Sequence, residues 1–486
     1  MLLALAATLV FRAWLSAAVP VTADEAYFVL WGRAPSLGYY DHPPMVGWML
    51  APLVALSDAG WVARLPALLV PALIALVIRE ALVRWFNRDE DTANLAALAV
   101  LLVPMNVWNV LVTTDTPLVL LSVASMVAFA RAAQRNSNGW FFVSGILLGF
   151  AFLSKYFAVL LGLAYLIYSI SSKNFKPFLL AFLGALPFGL LNLYWNYETC
   201  WCNVMFNAIN RHDDAGLSWT TPLLFAASIA YLAAPLVWYA WRERRRLGWD
   251  DPVKRALVLA WLVPLAVFAA LSPVKRIGLH WLLSFVPALV LSVALALERR
   301  HLVASVRFCA VLAVLHAVAI VTVAALPAEN WSSTRFYSRL VFLLRTPEIL
   351  SILAPELERH QLAADSYSGA ALLAFHARRA VPVFGAGSSH ARQDDIVTDW
   401  RRYAGKDLAI LRREAPVMAD YAPYFRAVQV QRIRLRGAEF HAVLGSGFDY
   451  IAYRDRVLTT VRDRYYRVPA WLPAGNCYFF ERYFPE

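Results

Sequence analysis

The sequence predicts an α-helical membrane protein of about eleven transmembrane helices, followed by a smaller α/β domain outside the bilayer. Of its 486 residues, 60% are hydrophobic and 16% are charged, whereas a soluble protein of this size exposes far more polar surface. The apolar residues form blocks long enough for a helix to cross roughly 30 Å of hydrocarbon at about 1.5 Å per residue. These blocks stop near residue 328, which separates the two parts of the chain.

The apolar blocks define the predicted spans. They are residues 2–20, 61–83, 93–112, 115–132, 140–153, 156–171, 177–197, 219–241, 255–272, 280–297 and 303–326. A cleaved signal peptide is the alternative interpretation of the first block, because it is short and ends in small residues. The lack of a basic stretch before it favours a retained span.

The distribution of Lys and Arg predicts the orientation of these spans. With a cytoplasmic N-terminus, the inner loops hold sixteen basic residues and the outer loops hold six, which is the positive-inside pattern. The net charge of +12 is therefore no indication of nucleic-acid binding. The prediction is a multi-pass protein of a bacterial inner membrane, with a membrane domain over 1–327, a first periplasmic loop over 21–60 and a periplasmic domain over 328–486.

The C-terminal segment differs in character from the rest of the chain. It carries 22 of the 45 Lys and Arg residues and alternates short apolar runs with helical patterns. The stretch "LAADSYSGAALLAFHARRAVPVFGAG" has the pattern of a strand, a helix and a strand, and "KDLAIL" and "FHAVLGSG" are typical of further strands. A small α/β domain accounts for this alternation.

Four cysteines are too few for a disulfide framework or a zinc site. They are Cys200, Cys202, Cys309 and Cys477. Cys200 and Cys202 could oxidise in a periplasmic loop, or be two small buried side chains. The sequence leaves both interpretations open.

Ionisable residues beside the spans fall mostly at one level. Such residues are costly near a bilayer, so each is expected to be paired or functional. In the eleven-span topology the outer side holds Asp24, Glu25, Asp41, His42, Asp115, Lys155, Arg211, His212, Asp213, Asp214, Lys275, Arg276 and His280. Separate segments of the chain therefore bring carboxylates and cations to the same face.

This combination favours one kind of chemistry. A carboxylate can take the proton of an attacking hydroxyl, while Lys, Arg and His stabilise a leaving phosphate. A polyprenyl-phosphate sugar is such a substrate, because its lipid tail stays in the bilayer while its phosphate reaches the surface. The residues therefore suggest sugar transfer from a lipid phosphate to an acceptor at the outer face.

Each of these residues also has a structural interpretation. Asp24 and Glu25 could cap a helix after Thr22, and Asp115 is a plausible helix N-terminus before Pro117. Lys155 could extend to the membrane interface, and a solvated loop is the favoured interpretation of Asp213 and Asp214. Arg12, inside the first span, is expected to neutralise a buried carboxylate. Coincidence on one face is what favours function for the set.

Several segments together resemble a known family. "DEAYFVLW" and "LGYYDHPPMVGWM", followed by "TTDTPLVLL", "AFLSKYFAVLL" and "PVKRIGLHWLLSFVPALVL", resemble the bacterial glycosyltransferases of the GT-C superfamily. Within it, the resemblance is to the group of protein O-mannosyltransferases and the lipid A aminoarabinose transferase. It covers about the first 300 residues. It implies a multispan GT-C helical bundle that uses a polyprenyl-phosphate sugar and inverts the anomeric centre.

The resemblance also implies roles for individual residues. The first-loop aspartate of the family falls on Asp24, as base or acceptor-positioning residue, and its second aspartate falls on Asp115. The acidic and basic residues before paired prolines fall on Asp41 and His42. The phosphate-side lysine falls on Lys155, and a later basic residue on Lys275 or Arg276.

Two departures limit what the resemblance carries over. His42 stands where the aminoarabinose relative has a lysine, and this chain is shorter, with a smaller outer domain. The sugar and the acceptor therefore stay open. Asp41 and His42 are both metal-ligand types, so a divalent metal is possible there, but two residues do not make a site.

The sequence thus predicts a glycosyltransferase that requires no cofactor. Its partners would be a polyprenyl-phosphate sugar donor, a glycan, lipid or protein acceptor, and membrane lipids, but no nucleic acid. Asp24 would be the general base with Asp115 supporting it, and the expected substrate- or phosphate-binding residues are Glu25, Tyr40, Asp41, His42, Lys155, Arg211, Lys275, Arg276 and His280. Tyr39, Tyr40 and Trp31 could stack on sugar or line a prenyl groove.

Two alternatives from other classes remain at this stage. A transporter or flippase of lipid-linked sugars would place its ionisable groups near the midplane of the bilayer, in paired halves. A non-catalytic assembly partner would use its α/β domain to bind a periplasmic protein, and its charged first loop would be dispensable.

Overall fold

A computed structural model describes residues 1–211 and 216–485. It is mostly helical, as predicted, and the chain is a multi-pass membrane protein. Within these ranges, six helices are long and apolar enough to cross a membrane: Gly60–Trp85, Asp115–Arg135, Lys176–Tyr197, Pro252–Leu271, Leu279–Ala296 and Arg299–Ala325. Two bent helix pairs bring the number to eight if each pair is one span. The predicted number of eleven is not confirmed.

Most of the predicted spans nevertheless coincide with helices. The bent pairs are Leu2–Ala18 with Ala23–Arg33, at 90°, and Thr220–Ala233 with Leu236–Arg242, at 99°. Three further apolar helices are shorter, namely Met45–Leu56, Asn138–Ser154 and Tyr156–Ser171. The predicted span 93–112 is interrupted: helix Glu90–Leu101 ends before Pro104, and the short helix Pro104–Trp108 follows. A proline disfavours helical geometry in the residue before it, which explains the break.

The helix Asp115–Arg135 occupies the middle of the membrane part. It packs against Asn138–Ser154 on one side and Pro252–Leu271 on another. The next packing layer brings Asn138–Ser154 very close to Lys176–Tyr197, since a Cβ atom at Gly145 would lie 2.0 Å from the Ala181 carbonyl oxygen. Small residues permit such close helix approach in membranes. This packing holds helices Asp115–Arg135, Asn138–Ser154 and Lys176–Tyr197 together.

The C-terminal region contains a four-stranded sheet. Its strands are β1 (Gln361–Ala364), β2 (Leu408–Arg412), β3 (Phe425–Leu435) and β4 (Ala438–Phe448), in the order β1-β2-β4-β3. The first pair is parallel and the other pairs are antiparallel. Arg436 and Gly437 both have positive φ, as a two-residue hairpin between β3 and β4 requires. The predicted strands near 361, 408 and 440 are present, whereas Val383 forms only an isolated bridge and β3 was not predicted.

Helices surround this sheet. They are Tyr337–Leu357, Tyr367–Ala377, Gln393–Val397, Tyr450–Tyr453, Thr459–Tyr465 and Tyr478–Tyr483. Tyr367–Ala377 packs on Ala23–Arg33, which we call the first-loop helix. The C-terminal region therefore lies directly on the first loop of the membrane part.

A disulfide ties the two parts together. It joins Cys200 to Cys477, which are 277 positions apart in the chain, while Cys202 is a free, buried thiol. Oxidation is therefore the outcome for Cys200, with a partner from the end of the chain, and a small buried side chain is the outcome for Cys202. Spacing along a sequence does not reveal such a distant pairing.

Candidate functional site

An ion pair at the N-terminal end of helix Asp115–Arg135 forms the core of the candidate site. Lys155 Nζ donates to both carboxylate oxygens of Asp115, at 2.9 and 2.8 Å, and both side chains are nearly buried. His280 Nε2 lies 3.7 Å from Asp115 Oδ2. Asp115 begins its helix, Lys155 follows the end of the next, and His280 lies in a short turn. Three separate predicted residues therefore meet at one point.

A second group lies on the first loop. Tyr27, on the first-loop helix, donates its hydroxyl to Asp41 Oδ1 at 3.2 Å. His42 Nε2 is 4.0 Å from Asp41 Oδ2. The two proline residues that follow end this loop before helix Met45–Leu56 begins. The sequence "YYDHPP" is thus a tight connection that turns Asp41 and His42 towards the membrane part.

Electrostatics joins the two groups. The pKa of His42 is lowered to about 3, first by burial and then by the charge of Lys155, and Asp115 and His280 also act on it. His42 is therefore a neutral imidazole at pH 7. Burial raises the pKa of Asp41 to about 7, and the charge of Asp24 adds to this effect. Burial and the neighbouring Glu25 charge also raise the pKa of Asp24. Carboxylates with raised pKa values suit acid–base work near neutral pH.

Cations border the same region. Burial lowers the pKa of Lys275 to about 8, and the positive charge of Arg211 adds to this effect. Burial also lowers the pKa of Arg211, whose Nη1 donates to Asn207 Oδ1 at 3.1 Å. Arg276 is exposed. Since two crowded cations are stabilised by an anion between them, this edge is suited to a phosphate.

The Glu25 carboxylate is fully engaged by neighbouring protein groups. Its carboxylate receives Arg64 Nε at 2.7 Å and Nη2 at 2.6 Å, and the backbone N–H of Val112 at 3.2 Å. It also completes a capping box with Thr22. Glu25 is 2% exposed, so its oxygens are already used. The expected contact with substrate is not supported, and the helix-capping alternative describes its position.

The first-loop aromatic residues are also buried. Trp31 and Tyr39 stack on each other with ring centroids 4.1 Å apart. Tyr40 is fully buried among residues of the C-terminal region and of the loop after residue 195. In this structure Tyr40 therefore packs within the protein core instead of presenting a face to substrate. The expectation that these rings stack on sugar is not supported.

Two other expectations have plain outcomes. Arg12 donates to backbone carbonyls, among them those of Ala67, Leu68 and Asn106, so the expectation that it neutralises a carboxylate is wrong. Pro71 has no N–H to donate to the Ala67 carbonyl, and Arg12 supplies the missing donor there. His212, Asp213 and Asp214 lie outside the described residues.

Metal binding has limited support in the geometry. Across residues 1–211 and 216–485, no group of three or more His, Cys, Asp or Glu side chains is placed to hold a metal ion. Asp41 and His42 form a pair only. Metal dependence stays an untested hypothesis.

An apolar cavity is lined in part by the two helices that precede and follow Lys155 in the chain. It has a volume of about 390 Å³ and is lined by helices Asn138–Ser154, Val159–Ser171 and Lys176–Tyr197. Ala158 and Val159, at its wall, follow Lys155 by three and four residues. Its lining is almost entirely hydrocarbon, including Phe152, Leu163 and Phe182. A cavity of this kind suits part of an isoprenoid chain.

Several residues of the site were not identified from the sequence. Asn203 Nδ2 donates to the Tyr39 carbonyl at 2.8 Å, and Asn207 Nδ2 donates to the Asp41 carbonyl at 3.3 Å. With Arg211 they recur every four residues, which places them on one helical face. This polar spacing in "NVMFNAINR" was an available signal. Tyr27 and Gln393 left no such signal.

Comparisons with known proteins find similar sequences over part of this chain. Residues 41–195 match the family of dolichyl-phosphate-mannose-protein mannosyltransferases. The lipid A galacturonosyltransferase RgtD of Rhizobium johnstonii is 27% identical over 271 residues, which are 53% of this chain and 56% of that protein. The chain thus matches about half the length of this curated relative.

Solved structures share the fold. Crystal structures of ArnT from Cupriavidus metallidurans, in the apo state and bound to undecaprenyl phosphate, superpose with a TM-score of 0.62. The match covers 91% of this chain and 97% of ArnT at 17% sequence identity. Together these matches confirm the resemblance to the GT-C glycosyltransferases.

Proposed function

We propose that this protein is a membrane glycosyltransferase. It would move a sugar from a polyprenyl-phosphate donor to an acceptor on a glycolipid at the outer face of a bacterial inner membrane. The observation that carries this proposal is the convergence of the Asp115–Lys155 pair, His280 and His42 with the carboxylate of Asp41, beside crowded cations and an apolar cavity.

The donor would bind across the boundary between the cavity and the cations. Part of its isoprenoid chain would occupy the apolar cavity near Lys155. Its phosphate would lie near Lys155, Arg211 and Lys275. An ammonium group has three N–H donors, so Lys155 can keep Asp115 and still donate to a phosphate oxygen. Neutral His42 and His280 would donate hydrogen bonds.

The reaction would be a direct displacement. The acceptor oxygen would form a bond to the anomeric carbon while the bond from that carbon to the phosphate oxygen breaks, and the electron pair would leave with the phosphate. The hydroxyl proton would pass to Asp24. The charge of Asp24 is close enough to Asp41 to raise the pKa of that carboxyl group. Such a single displacement inverts the anomeric centre. Cations aimed at the leaving phosphate stabilise the charge that develops there.

Two further observations support the proposed location and acceptor of the reaction. The disulfide between Cys200 and Cys477 is typical of an oxidising compartment such as the periplasm. The lipid A transferase name of a relative favours a glycolipid acceptor. The identity of the transferred sugar, whether hexose or pentose, is a matter for the assay.

A transfer assay tests this proposal. Purified protein in lipid vesicles is given a radiolabelled polyprenyl-phosphate sugar and a lipid A acceptor, and the labelled acceptor is measured. We expect product with the wild-type protein, and a loss of about 10²-fold or more with Asp24→Asn or Asp115→Asn. Asp91→Asn is a matched control, since Asp91 is an exposed residue paired only with Arg299 among the described ion pairs.

Two results would contradict the proposal. One is wild-type turnover in both Asp24→Asn and Asp115→Asn. The other is movement of a fluorescent lipid-linked sugar between leaflets without any transfer product, which would favour the transporter alternative.

A further inference from the structure

A hydrogen-bonded chain links the C-terminal region to the Asp41 carboxylate. The backbone N–H of Gln393 donates to the Tyr27 hydroxyl at 3.3 Å. That hydroxyl in turn donates to Asp41 Oδ1 at 3.2 Å. Tyr27 and Asp41 are both buried. A residue 352 positions along the chain from Asp41 therefore acts on it through a single side chain.

The same glutamine holds the loop a second time. Its Oε1 atom accepts the backbone N–H of Tyr40 at 2.8 Å. Tyr40 directly precedes Asp41, so Gln393 constrains both the backbone and the carboxylate of this position. A buried backbone N–H without an acceptor costs free energy. The Tyr40 backbone is therefore held in the position where its N–H reaches Gln393.

The position of Gln393 is itself fixed. It begins the short helix Gln393–Val397 directly after Arg392. The Arg392 guanidinium pairs with Asp395, with Nε 2.7 Å from Oδ2, and donates to the carbonyl oxygens of Ala386 and Ser388. Arg392 is 7% exposed. The glutamine thus directly follows a buried arginine that is held by several hydrogen bonds.

We infer that Gln393 is a positioning residue that the C-terminal region contributes to this site, where it orients the Asp41 carboxylate through Tyr27 and the Tyr40 backbone. The inference rests on the proposed function for its role in turnover. It explains why a membrane enzyme of this shape needs its C-terminal region in contact with the first loop. Without that region, Asp41 would lose the group that directs the Tyr27 hydroxyl to it.

Other charges also face Asp41, and the test must separate them from Gln393. Asp24 and Tyr27 approach from the first-loop helix and His42 from the same loop. Cys202 and Arg211 approach from the segment 199–211, and Tyr367 approaches from the C-terminal region. Of these groups, only Tyr27 changes in the variants chosen below.

The test compares the pH dependence of transfer in three variants. Tyr27→Phe removes the donor to Asp41, and Gln393→Leu removes the acceptor for Tyr40, while Gln393→Glu retains an acceptor oxygen. We expect the acidic limb of the kcat profile to move up by about one pH unit in Tyr27→Phe, because the ionised carboxylate loses a hydrogen bond. Gln393→Leu should move the acidic limb in the same direction. It should also lower kcat about tenfold while KM changes much less. Gln393→Glu should restore most of the wild-type kcat, because the Tyr40 N–H keeps an acceptor, while its added negative charge keeps the acidic limb above that of the wild type.

A matched control and a second readout complete the experiment. Gln429→Leu is the same substitution at an exposed position of β3, and it should leave the profile unchanged. The pH dependence of the thermal unfolding midpoint, compared between each variant and its Asp41→Asn derivative, reports the same titration without any substrate. It therefore answers the question even if the wild-type protein transfers no sugar, which would contradict only the proposed function.

Profiles of Tyr27→Phe and Gln393→Leu that coincide with the wild type in both readouts would overturn the inference. An equal shift in Gln429→Leu would do so as well, since the effect would then be general to the region.

Discussion

Loss of the Lys155 ammonium is the perturbation with the largest expected effect on the candidate site. In Lys155→Met the side chain keeps its approximate length but loses its charge. Asp115 would then be a carboxylate with 10% of its side chain exposed, and its remaining neighbour among the described ion pairs would be the imidazole of His280 at 3.7 Å. Lys176→Met, at an exposed position, is the matched control.

The magnitude follows from burial. Removing one partner of a buried ion pair costs about 3–5 kcal/mol, because the other charge stays buried without compensation. Removing one donor that stabilises developing charge costs about 10²–10³-fold in kcat. In the double variant Asp115→Asn/Lys155→Met the uncompensated charge is gone, so most of the lost stability should return. Turnover should not return, since neither functional group is present.

The assay therefore has two parts. Thermal unfolding of detergent-solubilised protein gives the stability of the two single variants and the double variant, and the coupling between the positions follows from this cycle. Initial rates of transfer from a radiolabelled polyprenyl-phosphate sugar give the activity of the same preparations. The reasoning is refuted if the destabilisation of the double variant equals the sum of the single effects, or if Lys155→Met keeps the wild-type rate.

Three further predictions concern stability. Arg64→Met should destabilise the protein by about 3–5 kcal/mol, because it leaves the buried Glu25 carboxylate unpaired, and a melting curve within about 1 kcal/mol of wild type would contradict the buried pair. Cys477→Ser should lower stability by about 2–5 kcal/mol. Maleimide should label Cys200 in the unfolded variant but not in the unfolded wild type. Labelling of Cys200 in the wild-type protein would show that no disulfide forms. Asp41→Asn should stabilise the protein more at pH 8 than at pH 4: the raised pKa of about 7 means that the native state binds the extra proton, so the wild type loses stability as pH rises from about 4 to 7. The lowered pKa of His42 acts in the opposite sense in both proteins, and unfolding midpoints that differ equally at the two pH values would refute the assignment to Asp41.

Part of the site was predictable because membrane topology is itself a strong constraint. Asp115, Lys155 and His280 lie at the ends of separate apolar segments, and a bilayer aligns such ends at one level. The sequence therefore indicated that these residues could meet. It did not indicate that Lys155 would pair with both oxygens of Asp115, since a contact of 2.8 Å depends on how three helices pack.

Other residues changed meaning once their neighbours were known. Glu25 has the residue type and location of a substrate ligand, but Arg64 and the Val112 backbone occupy its oxygens. Tyr40 has the residue type of a sugar platform, but it is covered by the C-terminal region. Residue type states what a side chain can do, whereas its neighbours determine what it is free to do.

By itself the sequence determined that this chain spans a membrane repeatedly, that its C-terminal part contains strands and helices, and that carboxylates and cations gather at the ends of its apolar segments. These properties follow from hydrophobic length, periodicity and charge, which are local. Only the tertiary structure decided that Cys200 pairs with Cys477 and that Gln393 contacts Asp41 through Tyr27. These contacts join positions far apart in the chain, and their geometry is set by the packing of whole helices, which no local pattern encodes.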